Sequence, residues 1–250
     1  MSLQRIISKS PNVPNLNAEC IKLLTKLIFW TDNNLIPADL LLVFGRSSNR
    51  DRLVYTKIIY NIVNKDLIPI IILTGGIPRF EGNSIVLDKP ESLLLYNTLD
   101  LKRCKAVTFI LEKTSVSSYD NVNNSLVRYD FNKVRKIIFL SAAFGAGRCY
   151  LTIRKLLPHV EILQKTMPTI IDGNEINREN WFKYEESRKR VWSEYLRIIN
   201  YGDNEIKKAE GVTGLIEFEE VRDLVTEIND LTNNKFIFNT KTQLSDNYLK

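Results

Sequence analysis

Short, almost uninterrupted apolar runs alternate along most of this chain with segments whose apolar residues recur at helical spacing. The runs are Ala38 to Gly45 (ADLLLVFG), Ile68 to Gly76 (IPIIILTGG), Ala106 to Glu112 (AVTFILE), Lys136 to Ser141 (KIIFLS) and His159 to Gln164 (HVEILQ). Each is strand-sized, and continuous rather than alternating hydrophobicity marks strands buried on both faces. Between them the pattern predicts helices from about Arg50 to Asn64, Asp88 to Thr98, Ser117 to Tyr129 and Arg148 to Leu157. Asp88-Lys-Pro-Glu91 has the form of a helix start, with Asp at the cap and Pro in the first turn. Ser117 to Asp120 has the form of a capping box.

This alternation predicts an α/β fold: a Rossmann-like parallel sheet of about five strands with helices on both faces. A helical segment, residues 1–37, precedes the core; its apolar positions Leu16, Cys20, Leu23, Leu24, Leu27 and Ile28 form one stripe. The core spans 38–173. Beyond Asn174 the alternation stops, and 174–250 reads as a C-terminal helical extension. Its helices are expected over Glu179 to Tyr201 and Gly214 to Leu231, with a short strand near KFIF after them.

Composition narrows the chemistry. The single histidine, His159, excludes two-histidine metal motifs, and any serine triad would have to use it; its place in LLPHVEIL is that of a connector. Cys20, Cys104 and Cys149 are too dispersed for a zinc site or a disulfide framework, so no metal is expected. No apolar run approaches the roughly 20 residues of a membrane span, and no signal-like stretch opens the chain, so a cytoplasmic protein without a membrane partner is expected. The net charge of +6 is spread out, and its densest cluster, Ser187 to Trp192, is interleaved with Glu185, Glu186 and Glu194. That is a solvated helix face rather than a nucleic-acid stripe. Nothing in the pattern sets the oligomeric state.

In a parallel sheet, ligands bind at the carboxyl ends of the strands. Those ends carry Gly45 and Arg46, Thr74-Gly75-Gly76, Glu112, and Ser141 to Arg148. Glycine allows close backbone approach, so amides at Gly75 and Gly76 could face an anion. Arg148 stands in a helix's first turn, where a cation opposes the dipole and a bound anion would offset the cost. Gly145-Ala-Gly147 follows the fourth strand, whereas a dinucleotide fingerprint belongs after the first. Together these residues point to an anionic or zwitterionic small molecule held by Arg46 and Arg148. Glu91 and Glu112 are the candidate catalytic carboxylates.

Five blocks occur in a familiar order: VFGR (Val43 to Arg46), LTGG (Leu73 to Gly76), the Glu91-Ser92 helix start, LEKTSVSSYDN (Leu111 to Asn121) and SAAFGAGR (Ser141 to Arg148). Together they resemble the YdcF-like family, a domain of unknown function, over about Ala38 to Gln164. The helical extension, including VWSEYLRIINYG, resembles the family's cytoplasmic YdcF branch. The resemblance implies a Rossmann-like fold and binding of S-adenosylmethionine, with no settled reaction. Carried over by position, it implies ligand contacts at Gly45, Thr74, Gly75, Gly76, Glu91, Glu112, Ser115, Asn121, Ser141 and Arg148. The chain departs from the family at Ser117-Ser118, where Asn-Thr is usual, at Asp120, where Glu is usual, and at Gly145, where His is usual. The first expectation is therefore a small-molecule-binding protein for an anionic or nucleotide-like ligand such as S-adenosylmethionine. The alternative is a hydrolase or transferase acting on a phosphate- or nucleotide-bearing substrate.

Overall fold

The computed structural model describes residues 7, 8, 10–30, 32–78, 87–202 and 214–233. Its centre is a five-stranded, all-parallel sheet: β1 (Leu40–Val43), β2 (Ile70–Leu73), β3 (Thr108–Leu111), β4 (Lys136–Ala142) and β5 (Glu161–Met167). The order across the sheet is β3-β2-β1-β4-β5. β1 and β4 are neighbours, although β2 and β3 come between them in sequence. Their junction is where the winding reverses, the topological switch point of an open α/β sheet. The expected Rossmann-like α/β architecture with C-terminal helices is observed.

The pleat sorts the strand residues between two cores. Leu41, Val43, Ile71, Leu73, Ile138 and Leu140 face α2 (Asn49–Val63) and α3 (Glu91–Tyr96). Leu40, Leu42, Ile72, Ile137 and Phe139 face α4 (Ser118–Arg128) and α5 (Ala146–Leu156). Because both faces are covered, almost every central strand position is apolar, which is why the runs read as continuous.

A third core lies outside the sheet. α1 (Ala18–Ile28) buries Cys20, Leu23, Leu24, Leu27 and Ile28 against α5, α6 (Glu185–Tyr201) and α7 (Arg222–Leu231). Asn17 starts α1 by accepting from the Cys20 amide at 2.8 Å. Fully burying each Leu or Ile gains roughly 1.5–3 kcal/mol before chain entropy is subtracted. Trp181 and Tyr195 are wholly buried in the same core. Trp181 donates its indole N–H to Thr25 at 2.8 Å, tying the extension to α1.

Several boundaries differ from expectation. α3 starts at Glu91 with Pro90 at its cap position and no side-chain cap, so Asp88 does not cap it. β5 runs to Met167 because it pairs with β4 as far as Ala142, and Asp32 and Asn33 cover its other edge by accepting from the Thr166 and Gln164 amides. A hairpin, β6 (Thr169–Ile171) and β7 (Asn174–Ile176), turns at Asp172-Gly173, both with positive φ. A 3-10 turn at Trp181–Lys183 precedes α6, and another at Glu219–Val221 precedes α7, so both helices begin later than their apolar periodicity suggests. The short strand expected near KFIF lies outside the described residues.

Candidate functional site

Parallel pairing brings the exits of β1, β2, β3 and β4 to one edge of the sheet. Thr74 leaves β2 with both its amide (3.0 Å) and its hydroxyl (2.8 Å) donating to the Val43 carbonyl. The next two residues turn back under α3. The Glu91 amide donates to the Gly76 carbonyl, and the Ser92 amide and hydroxyl both donate to the Gly75 carbonyl, each at 3.0 Å. Gly75 takes φ +120°, and a Cβ there would lie 2.9 Å from the Glu91 side chain. A Cβ on Gly45 would fall 2.4 Å from Glu91 Oε2. Both glycines are therefore required so that the Glu91 carboxylate can lie between the exits of β1 and β2.

Glu91 accepts a hydrogen bond from Ser47, the second residue of the loop between Gly45 and α2. Burial pushes its carboxyl above the ordinary range, opposed by Ser47 and by Arg46 and Arg52 nearby. The loop is held by Arg52, which donates to the Ser47 carbonyl at 2.5 Å. Glu91 and Ser47 thus form a carboxylate–hydroxyl pair beside the switch point. The strand-end pattern points to Glu91 but not to Ser47.

Glu112 behaves differently. It is fully buried and collects donors: the Thr114 amide (2.6 Å) and hydroxyl (2.7 Å), the Ser115 amide (3.0 Å) and the Gly75 amide (3.4 Å). Burial alone would raise its pKa, but bonds from Ser115, Thr114 and Gly75 bring it below the usual carboxylate range. A carboxylate that accepts so many hydrogen bonds clamps the β3–α4 loop. Ser115 and Asn121 complete the clamp, the Ser115 hydroxyl donating to Asn121 Oδ1.

The expected anion-facing groups are also turned inward. The Gly75 amide serves Glu112, and the Gly76 amide donates to the Ser115 carbonyl at 2.8 Å. Arg46 is paired with Asp51 of α2, at 2.9 Å from Nε and 2.6 Å from Nη2. Arg148 is largely buried and donates Nε to Glu194 of α6 at 2.7 Å, with Ser118 as a second partner. The anion that offsets Arg148's position in the first turn of α5 is therefore the chain's own Glu194. Arg197 pairs with the same carboxylate.

Ser141 lies at the end of β4, 2% exposed, beside the buried thiol of Cys149, which burial pushes up to about 12. Gly147 meets α1: a Cβ there would lie 2.1 Å from the Leu27 carbonyl. At Gly145 the nearest atom to an added Cβ is Cys149 Sγ at 4.0 Å, so this position is open. His159 is exposed in the turn into β5, at the opposite edge of the sheet.

A scan against protein-family models finds no match to the chain, and a search of curated proteins finds no relative. The resemblance to the YdcF-like family rests on its five motifs. Among the described residues no cluster of three metal-capable side chains occurs, and no helix is long and apolar enough to cross a membrane. A cleft of about 690 Å³ between residues 10–16 and the start of α6, lined by Leu16, Ile21, Phe182 and Arg188, shares no residue with the strand-end site.

Proposed function

We propose that this chain binds a small anionic or nucleotide-like molecule at the carboxyl edge of its sheet, with S-adenosylmethionine as the first candidate. The observation that carries the reading is the Glu91 carboxylate, lodged between Gly45 and Gly75 beside the switch point, with Ser47 as its partner. A carboxylate placed there at the cost of two obligatory glycines is poorly explained by packing alone. The site's cations already have counter-ions, Asp51 for Arg46 and Glu194 for Arg148. A ligand that brings both signs of charge suits such a site better than a bare polyanion, and S-adenosylmethionine is of that kind. Calorimetric titration tests the reading: saturable heat supports it, and no heat at millimolar S-adenosylmethionine rules that ligand out.

A second reading, a hydrolase or transferase for phosphate- or nucleotide-bearing substrates, is favoured by one feature. Glu91 has a raised pKa and already accepts a hydrogen bond from the Ser47 hydroxyl, the arrangement of a general base beside a hydroxyl. A panel of phosphomonoesters and nucleotides, with and without Mg²⁺, separates the two. Turnover abolished by Glu91→Gln supports the enzyme; silence across the panel leaves binding.

A further inference from the structure

The strand-end site has an inner wall that neither motif nor composition announces. Tyr55 sits in α2, two turns from its start, and its side chain is wholly buried. Helical side chains lean toward the N-terminus, so the phenol of Tyr55 reaches back toward the exit of β1. Its hydroxyl lies in the electrostatic field of Arg46, Cys149, Asp51 and Glu91. Yet among the described residues that hydroxyl has no hydrogen-bond partner. Buried polar groups are almost always satisfied, and each exception calls for an explanation, a functional role or a bound group among them.

The surroundings show that this is not loose packing. Neighbouring polar side chains at these strand exits are bonded: Thr74 to Val43, Ser92 to Gly75, Ser47 to Glu91, Arg46 to Asp51. Arg52 Nε, one turn earlier in α2, is the other buried polar atom of this region without a hydrogen-bond partner among the described residues. In place of Tyr55, phenylalanine would fill the same space without carrying an unsatisfied oxygen into the core.

We propose that the Tyr55 hydroxyl is a ligand contact, donating a hydrogen bond to an anionic oxygen that enters beneath Arg46. This rests on the small-molecule reading and deepens it, because it fixes which end of the ligand goes inward. The oxygen can belong to a carboxylate or to a phosphate, and both present the acceptor that the Tyr55 hydroxyl requires.

The test compares the full-length wild type with Tyr55→Phe. Without ligand, the variant should melt at or about 2–4 °C above the wild type. A lower melting temperature would mean that the hydroxyl already has a partner in the protein, which overturns the inference. Both proteins are then titrated with S-adenosylmethionine, adenosine monophosphate, inorganic phosphate and adenosine. Affinity for whichever anion-bearing probe binds should fall at least tenfold in the variant, while adenosine binding stays the same. Loss confined to S-adenosylmethionine identifies a carboxylate; loss confined to the monophosphate and inorganic phosphate identifies a phosphate. Equal affinity of both proteins for every anionic probe overturns the role of Tyr55 and leaves the small-molecule reading standing. If no probe binds the wild type, the small-molecule reading fails and this inference falls with it.

Discussion

Arg148 and Glu194, 46 positions apart, form an ion pair of 2.7 Å that fastens the first turn of α5 to the middle of α6. The pair joins the sheet to the C-terminal helices, and Arg197 and Ser118 complete it. Both charges are mostly withdrawn from water, so the loss of one leaves the other stranded.

Glu194→Ala should therefore destabilise the protein by about 3 kcal/mol, measured by urea denaturation at pH 7. Burial works against the Glu194 charge, but Arg148 and Arg197 prevail and hold its pKa at about 2. The folded pKa lies below the unfolded value. The stabilisation is thus complete above about pH 4.5 and is lost as pH falls toward 2. Wild-type stability should drop through that window, and the Glu194→Ala profile should be flatter.

Glu91 carries the opposite sign. Its folded pKa is raised by burial, so stability declines as pH climbs through it. Glu91→Gln should remove that decline and match or exceed wild-type stability at neutral pH, while weakening ligand binding. Denaturation at pH 5 and pH 8, paired with calorimetry, checks both halves.

The two glycines of Phe144-Gly-Ala-Gly147 should respond unequally. Gly145→Ala meets nothing closer than 4.0 Å and has an ordinary negative φ, so its effect should stay within about 1 kcal/mol. Gly147→Ala drives a methyl group into the Leu27 carbonyl and should cost about 1–3 kcal/mol or more, because α1 has to move. Melting temperatures of the two variants give the comparison.

Removing residues 174–250 should leave no folded, soluble product. α1 would lose Trp181, Tyr195 and the α7 side chains Val225 and Ile228, which close its core. A soluble, cooperatively melting truncation would show instead that the extension is an appendage.

The sheet was legible because strands buried on both faces leave continuous apolar runs, from Leu40-Leu-Leu-Val43 to Lys136-Ile-Ile-Phe-Leu140. The hairpin at 169–176 was not, since three-residue strands establish no period; Asp172-Gly173 was its one local signal. At the site, glycines and carboxylates could be found from strand ends, but their partners could not. Glu112 is satisfied mainly by backbone amides, which no side-chain pattern reveals. Arg148 is satisfied across 46 residues of chain. Tyr55 reads as one more apolar position of α2, and what sets it apart is a hydroxyl without a partner among the described residues.

The central claim is that the strand-end edge receives a ligand, and a crystal structure of the protein grown with millimolar S-adenosylmethionine tests it most directly. The account predicts density at the exits of β1 and β4, within hydrogen-bond reach of Tyr55 and of Glu91 or Ser47. Ligand density confined to the cleft beside Phe182, or strand exits that hold only solvent, would contradict it.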